Sequence, residues 1–368
     1  MGSASNAGKA LPAYVSQPTA GRPSGRRRPA LPRRRSEAKR TPSVSGVGRK
    51  PVAPFRIHKA SRWAGVLVLA LALAGAAVAQ TIYIWEDEDG VTHFTDRKPD
   101  TDREVTVQRA IAEPRAPFDV TNLGSNAEPR WVFRNRLHGV LEVEVSLADA
   151  ENVVSEPDLP ARFVLPPNSQ QQLVTVGPLN ENRSWRYRIQ SRATPGDPDA
   201  EPDPDYPYRP PFAADRAFRV SQAFGGSFSH NQPHSHHAVD IDMPLGTPVH
   251  AARSGVVMDA ARYFHATGDD PDRYGNRANF IRIEHADGTM AVYAHLDYEG
   301  VEVQPGQWIA KGQRIGRSGQ TGFATGPHLH FVIQKNAGME IESVPFAFGT
   351  GDGSIQAPRE NQMLRNPE

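Results

Sequence analysis

Ten of the 13 histidines in this 368-residue sequence fall after residue 214. His230, His234, His236 and His237 come first, with Asp240 and Asp242 close behind them. His250, His265, His285, His295, His328 and His330 follow. The chain has no cysteine, so imidazole nitrogen and carboxylate oxygen are the ligands it can offer a zinc ion. His328-Leu329-His330 leads into Phe331-Val332-Ile333, which reads as a strand. Period two then puts both imidazoles on one face and Leu329 on the other. Two adjacent rings suit one ligand plus one group that moves a proton. Asp240 stands four residues after His236 and just before an apolar turn, Met243 to Val249. Each spacing alone also fits histidines with structural roles.

Such groups need rigid elements to hold them. Strands are expected at Phe280 to Glu284, Met290 to Tyr293 and Leu329 to Ile333, with glycines marking the turns between them. Upstream, Trp131 to Phe133, Leu141 to Val145, Ala161 to Leu165, Gln172 to Val176 and Trp185 to Ile189 mostly alternate apolar and polar residues. They read as half-buried strands of a small immunoglobulin-like β-sandwich, a spacer with no visible chemistry. Earlier still, Thr81 to Trp85 and Val91 to Thr95 flank an acidic stretch ending in Asp89-Gly90, a hairpin signal. The expected class is all-β throughout.

Taken together, the downstream residues resemble the zinc metallopeptidases of the lysostaphin/LytM type, the glycyl-glycine endopeptidase family. His236-His237-Ala238-Val239-Asp240 is similar to the family's H-x-G-x-D element, and Gly246-Thr247-Pro248-Val249 opens its G-T-P-V continuation. Tyr293-Ala294-His295-Leu296 resembles its Y-x-H-L element. Val303 to Gly316 resembles its glycine-spaced stretch, and Ser318 to Phe331 its signature ending in G-P-H-L-H-F. Ala238 replaces a usual glycine and Val332 a usual glutamate, neither at a ligand position of the pattern. The resemblance implies an antiparallel sheet with a groove above it, and Zn2+ held by His236, Asp240 and His330 with water as the fourth ligand. It implies catalytic roles for His295 and His328: His328 as proton acceptor and His295 as oxyanion donor, or the reverse. His230 is the rival first ligand, while His234, His237, His250, His265 and His285 are expected to be structural. Asp269 to Asp272 is expected to be a solvated insertion beside the groove. The implied activity is hydrolysis of peptide cross-links in peptidoglycan, with D,D bonds favoured. The alternative is a catalytically inactive LytM-like adaptor that activates a separate cell-wall amidase; retention of every ligand candidate favours the enzyme. Tyr83, Trp85, Asp87, Gly90, Phe94, Thr95, Asp96 and Pro99 resemble a short N-terminal module of unknown function common in secreted bacterial proteins.

Residues 1–62 hold 15 of the 42 basic side chains and one of the 41 acidic ones. Arg56, Lys59 and Arg62 precede an apolar run, Trp63 to Val78, and Ala77-Val78-Ala79 has the form of an export-signal cleavage site. The run is short for a membrane span, so no stable membrane anchor is expected after cleavage near Ala79. Cleavage leaves 27 basic against 40 acidic side chains, a net charge near −13. A chain so acidic is a poor nucleic-acid binder, and the expected location is periplasmic or extracellular. The expected layout is basic extension and signal (1–79), β module (80–112), β-sandwich (116–192), Pro/Asp-rich linker (193–214), metallopeptidase domain (215–348) and tail (349–368).

Overall fold

A computed structural model describes residues 80–86, 92–95, 97–110 and 116–367. The basic extension, the export signal and the Asp87 to Gly90 turn lie outside the described residues. In the N-terminal module, Gln80–Glu86 pairs antiparallel with Thr92–Thr95 on one side and Thr106–Ala110 on the other. Glu86 stands opposite Thr92, and the Trp85 ring stacks on His93 at 4.9 Å. The two strands of the expected hairpin are therefore paired.

The described chain is almost wholly antiparallel β. Between residues 118 and 195, Phe118–Asn122, Trp131–Asn135 and Gln170–Gln171 form one small sheet. Arg186–Pro195, Leu141–Glu151 and Ala161–Leu165 form another. Phe133, Leu141, Val143, Val145 and Leu165 fill the space between them. Alternation along Leu141 to Val145 fails as a simple in-and-out pattern, because Glu142 is buried as well.

Glu142 is buried because this sandwich is not a detached spacer. Its carboxylate accepts hydrogen bonds from Asn336 Nδ2 at 2.8 Å and the Met339 N–H at 2.7 Å, both in the downstream domain. Met258 and Met290 of that domain, each fully buried, belong to the sandwich's own apolar core. The Val140 N–H also donates to Glu284 Oε1 at 3.1 Å.

The downstream domain is built on one antiparallel sheet. In spatial order its main path runs Trp308–Ile309, Gly255–Ala261, Asn279–Glu284, Met290–Val301, Leu329–Asn336, Val239–Ile241, Ala217–Gln222 and Met363–Arg365. Side-chain alternation divides it cleanly. Val239, Ile241, Ala291, Tyr293, Leu329, Phe331 and Ile333 point into the main core. Asp240, Ala294 and His330 point to the other face, beside a small buried cluster of Ala238, Val292 and Val332. The two residues that depart from the family pattern, Ala238 and Val332, thus pack together: an apolar side chain at 332 sits against a methyl at 238.

Two expectations about the flanks need correction. Tyr208 and Phe212, inside the segment expected to be a linker, are 3% and 0% exposed within the main core. The expected tail contributes Met363–Arg365, which pairs with Ala217–Gln222 and buries Leu364. Both segments are rich in proline and polar residues, yet the first buries Tyr208 and Phe212 in the core and the second buries Leu364.

Candidate metal centre

The centre begins with strand register. Asp240 on Val239–Ile241 is the partner of His330 on Leu329–Asn336, and His330 is in turn the partner of Ala294 on Met290–Val301. On the far side Gln222 pairs with Asp240. One row across four strands therefore carries the carboxylate and an imidazole side by side, with His330 Nδ1 at 2.9 Å from Asp240 Oδ1.

His230 enters this row from the 223–238 connection. Its Nδ1 lies 2.9 Å from the Ala223 carbonyl oxygen, so Nδ1 carries the proton and Nε2 is left as a lone pair. That Nε2 is 3.3 Å from Asp240 Oδ1. It is fully buried and has no hydrogen-bond partner, which is costly for an imidazole nitrogen unless something else binds it. Among the described residues one group of three side chains brings metal-ligand atoms within 4.8 Å of one another: His230, Asp240 and His330. Tetrahedral ligands at zinc distances of roughly 2.0–2.1 Å stand about 3.3 Å apart. The separations of 2.9 and 3.3 Å fit that requirement.

His236, expected as the first ligand, is not in the group. Extended backbone was needed to put it on the same face as Asp240, but residues 232–237 coil. The N–H groups of Ser235 and His236 both donate to the Gln232 carbonyl, and the strand starts only at Val239. The His236 ring lies against Gly225 and edge-on to His237 at 4.8 Å. His230 takes its place, its own N–H bonded to the Gly226 carbonyl.

His295 and His328 stand at the opposite side of His330. Their ring centroids are 4.6 Å apart, and His295 is 5.7 Å from His330. Each holds a backbone carbonyl through Nδ1: His295 that of Thr321 at 2.8 Å, His328 that of Gly326 at 2.9 Å. Both therefore leave Nε2 as the free nitrogen, and for His328 this atom is 3.8 Å from Asp240 Oδ1. His295 adopts φ +60°, and the pairing skips from Phe280↔Ala294 to Asn279↔Leu296 around it. It is the extra residue of a β-bulge, which turns a side chain that plain alternation would send into the core.

Electrostatics keep His295 and His330 neutral and Asp240 ionised. Burial pushes the His295 imidazole down, and the neighbouring His328 and His330 push further, to about 3. Burial likewise lowers His330 despite the opposing pull of Asp240. Burial alone would raise the Asp240 carboxyl, but the adjacent His230 and His330 imidazoles outweigh it and hold it well below the usual carboxylate range. Neutral imidazoles beside an ionised carboxylate are what a divalent metal binds. Three other histidines are tied into the structure: Nδ1 of His237, His250 and His285 meets the carbonyls of Ser343, Gly312 and Ser254.

Residues 234–342, which contain Asp240, His330 and both outlying histidines, match the family described as Peptidase family M23. They form an M23 peptidase domain. The chain is similar to peptidoglycan DD-endopeptidase ShyA of Vibrio cholerae, at 34% identity over 33% of this chain and 26% of that one. It is similar to an uncharacterized metalloprotease of Haemophilus influenzae, at 31% over 41% and 30%, and to lysostaphin of Staphylococcus simulans, at 34% over 32% and 22%. The aligned stretch spans a quarter to a third of the length of the first two. Ahead of the M23 domain, residues 69–117 match a domain of unknown function, DUF4124. His230 lies outside the stretch matched to M23 yet within its centre. The signal in the sequence is the turn-rich approach Phe224 to Ser229, which can fold His230 back toward Asp240.

Proposed function

We propose that this protein is a zinc-dependent endopeptidase that cleaves peptide cross-links of peptidoglycan, exported from the cytoplasm through a signal cleaved near Ala79. The observation that carries the reading is the buried, partnerless His230 Nε2 beside Asp240 and His330, with two further histidines that are not ligands close by. The similarity to ShyA, a peptidoglycan DD-endopeptidase, supports the substrate class, and the leader sequence supports the location.

His230 through Nε2, Asp240 through Oδ1 and His330 through Nδ1 would hold the ion. When bound, zinc supplies a Lewis acid for the scissile carbonyl and lowers the pKa of its water. The chain's own groups do the rest. His328 and His295 present Nε2 towards the centre, anchored behind by carbonyls, so either can accept a proton from water. Once protonated, the same nitrogen becomes a donor to the tetrahedral oxygen or the leaving amine. Asp240, kept ionised, favours His330 and His230 in their bound orientation. An adaptor would not require this pair of oriented rings behind a complete ligand set.

The test is incubation of the purified protein with peptidoglycan sacculi, with and without chelator, followed by mass spectrometry of the released muropeptides. New amino termini that disappear with chelator and return with zinc are expected. Intact sacculi under all conditions, together with activation of a separate amidase, would establish the adaptor instead.

A further inference from the structure

His295 occupies a backbone conformation that a β-branched or bulky residue avoids and that even histidine adopts at a cost. Something must hold it there. The ring is tied by its Nδ1 to the carbonyl of Thr321, and Thr321 is itself held by a closed set of hydrogen bonds. The Thr321 hydroxyl donates to the Leu296 carbonyl at 2.7 Å, immediately after the bulge, and accepts the Asn279 N–H at 3.0 Å. Asn279, fully buried, then uses its whole amide. Oδ1 accepts the Phe264 N–H at 2.8 Å, while Nδ2 donates to the Phe264 carbonyl at 2.7 Å and the Asp297 carbonyl at 3.1 Å.

The segment beyond Phe264 braces the same loop. Thr267–Gly268 pairs in parallel with Gly322–Phe323, the Gly322 N–H donates to the Ala266 carbonyl, and the Ala324 N–H donates to the Gly268 carbonyl. Gly322 has φ +85°, and any side chain there would meet Ala278 at 2.8 Å. Residues 264–268, which lead into the exposed Asp269 to Asp272 stretch, are therefore fastened to the loop that holds the His295 ring. At the loop's other end, Gly319 bridges His328.

We propose that Thr321 and Asn279 are the positioning residues of His295: they clamp the bulge at Leu296 and Asp297 and fix the carbonyl that selects the ring's tautomer. This rests on the proposed peptidase function for its kinetic consequence, but not for the clamp itself. Neither residue touches the metal ligands or the reacting atoms. Each acts through His295, so its loss affects turnover rather than metal or substrate binding.

The test compares Thr321→Val, which is nearly isosteric and lacks the hydroxyl, with Thr321→Ser, which restores it, and with Asn279→Ala. Zinc content, sacculus hydrolysis and the 15N-detected state of the His295 ring are measured on the full zinc-loaded protein. Thr321→Val is expected to keep zinc and KM while kcat falls by about 10- to 100-fold, the usual worth of an outer partner. Its His295 Nδ1–H signal should be lost or broadened, and Thr321→Ser should recover both. Unchanged kcat with an unchanged His295 signal in Thr321→Val overturns the proposal. So does parallel loss of zinc and fold in Thr321→Val and Asn279→Ala, because both would then be general structural residues. If the native protein cleaves nothing but Thr321→Val still loses the ring signal, the peptidase reading falls and the clamp stands.

Discussion

Asp240 and His330 face each other as direct partners on adjacent strands, carboxylate oxygen to Nδ1 at 2.9 Å. His330→Ala is therefore expected to drop zinc well below one per chain and to lower the melting temperature of the zinc-loaded protein, since metal stabilises the state that binds it. His230→Ala should do the same. His236→Ala should retain zinc and hydrolysis. Zinc analysis and sacculus digestion on the three variants decide the first ligand, and the reverse pattern at 230 and 236 would restore the sequence-based choice.

His295→Ala should behave differently from either ligand variant. Its ring is tied to Thr321 and not to the ligand group, so zinc stays near one per chain. The rate of cross-link cleavage should fall by about 10² to 10⁴, the worth of a positioned acid, base or oxyanion donor. Loss of metal from this variant would place His295 among the ligands.

His285 gives the fold a pH dependence that is separate from the centre. It is 4% exposed, it donates through Nδ1 to the Ser254 carbonyl, and its Nε2 is buried without a partner. Burial pushes its pKa down to about 4. Below its usual value near 6.5 the unfolded chain takes up a proton that the folded chain refuses, so stability is lost as pH falls from about 6.5 to about 4. The full span corresponds to about 3 kcal/mol. His285→Gln should flatten that part of the profile. Denaturant melts between pH 7 and pH 4 measure the slope, and equal slopes in both proteins would show that His285 does not contribute.

The β-sandwich and the M23 domain should unfold together. Met290 is fully buried in the sandwich core although it belongs to the strand that later carries His295. Met290→Ala is expected to cost about 2–5 kcal/mol and to move a single unfolding transition spanning both domains. Calorimetry resolving two transitions, only one of them shifted, would show that the domains are independent.

Much of the site was legible before the fold was known, because its chemistry is local. The His328-Leu329-His330 alternation survives as rings on one side of a strand, and Asp240 and His295 stand where their motifs put them. His230 was legible only as a rival, since choosing it requires knowing that residues 232–237 coil rather than extend. The bulge at His295 leaves no pattern in the residues, because it depends on hydrogen bonds from Asn279 and Thr321, distant in sequence. The strands of the sandwich were readable from alternation where one face is wet. That rule failed at Glu142, which another domain covers. Proline and aspartate between 193 and 214 argued for a linker, and they outvoted Tyr208 and Phe212 in any average over the segment.

The row running from Gln222 through Asp240 and His330 to Ala294 also gives the protein a way of checking its own assembly. Successive side chains on a strand alternate faces, so a slip of one residue between 239–241 and 329–336 would offer His330 either Val239 or Ile241 and turn Asp240 into the core. A chain misaligned by one residue cannot then present the Asp240 carboxylate and the His330 imidazole to an ion together. Retention of a bound metal would then report on a one-residue error in strand alignment, before any substrate is met.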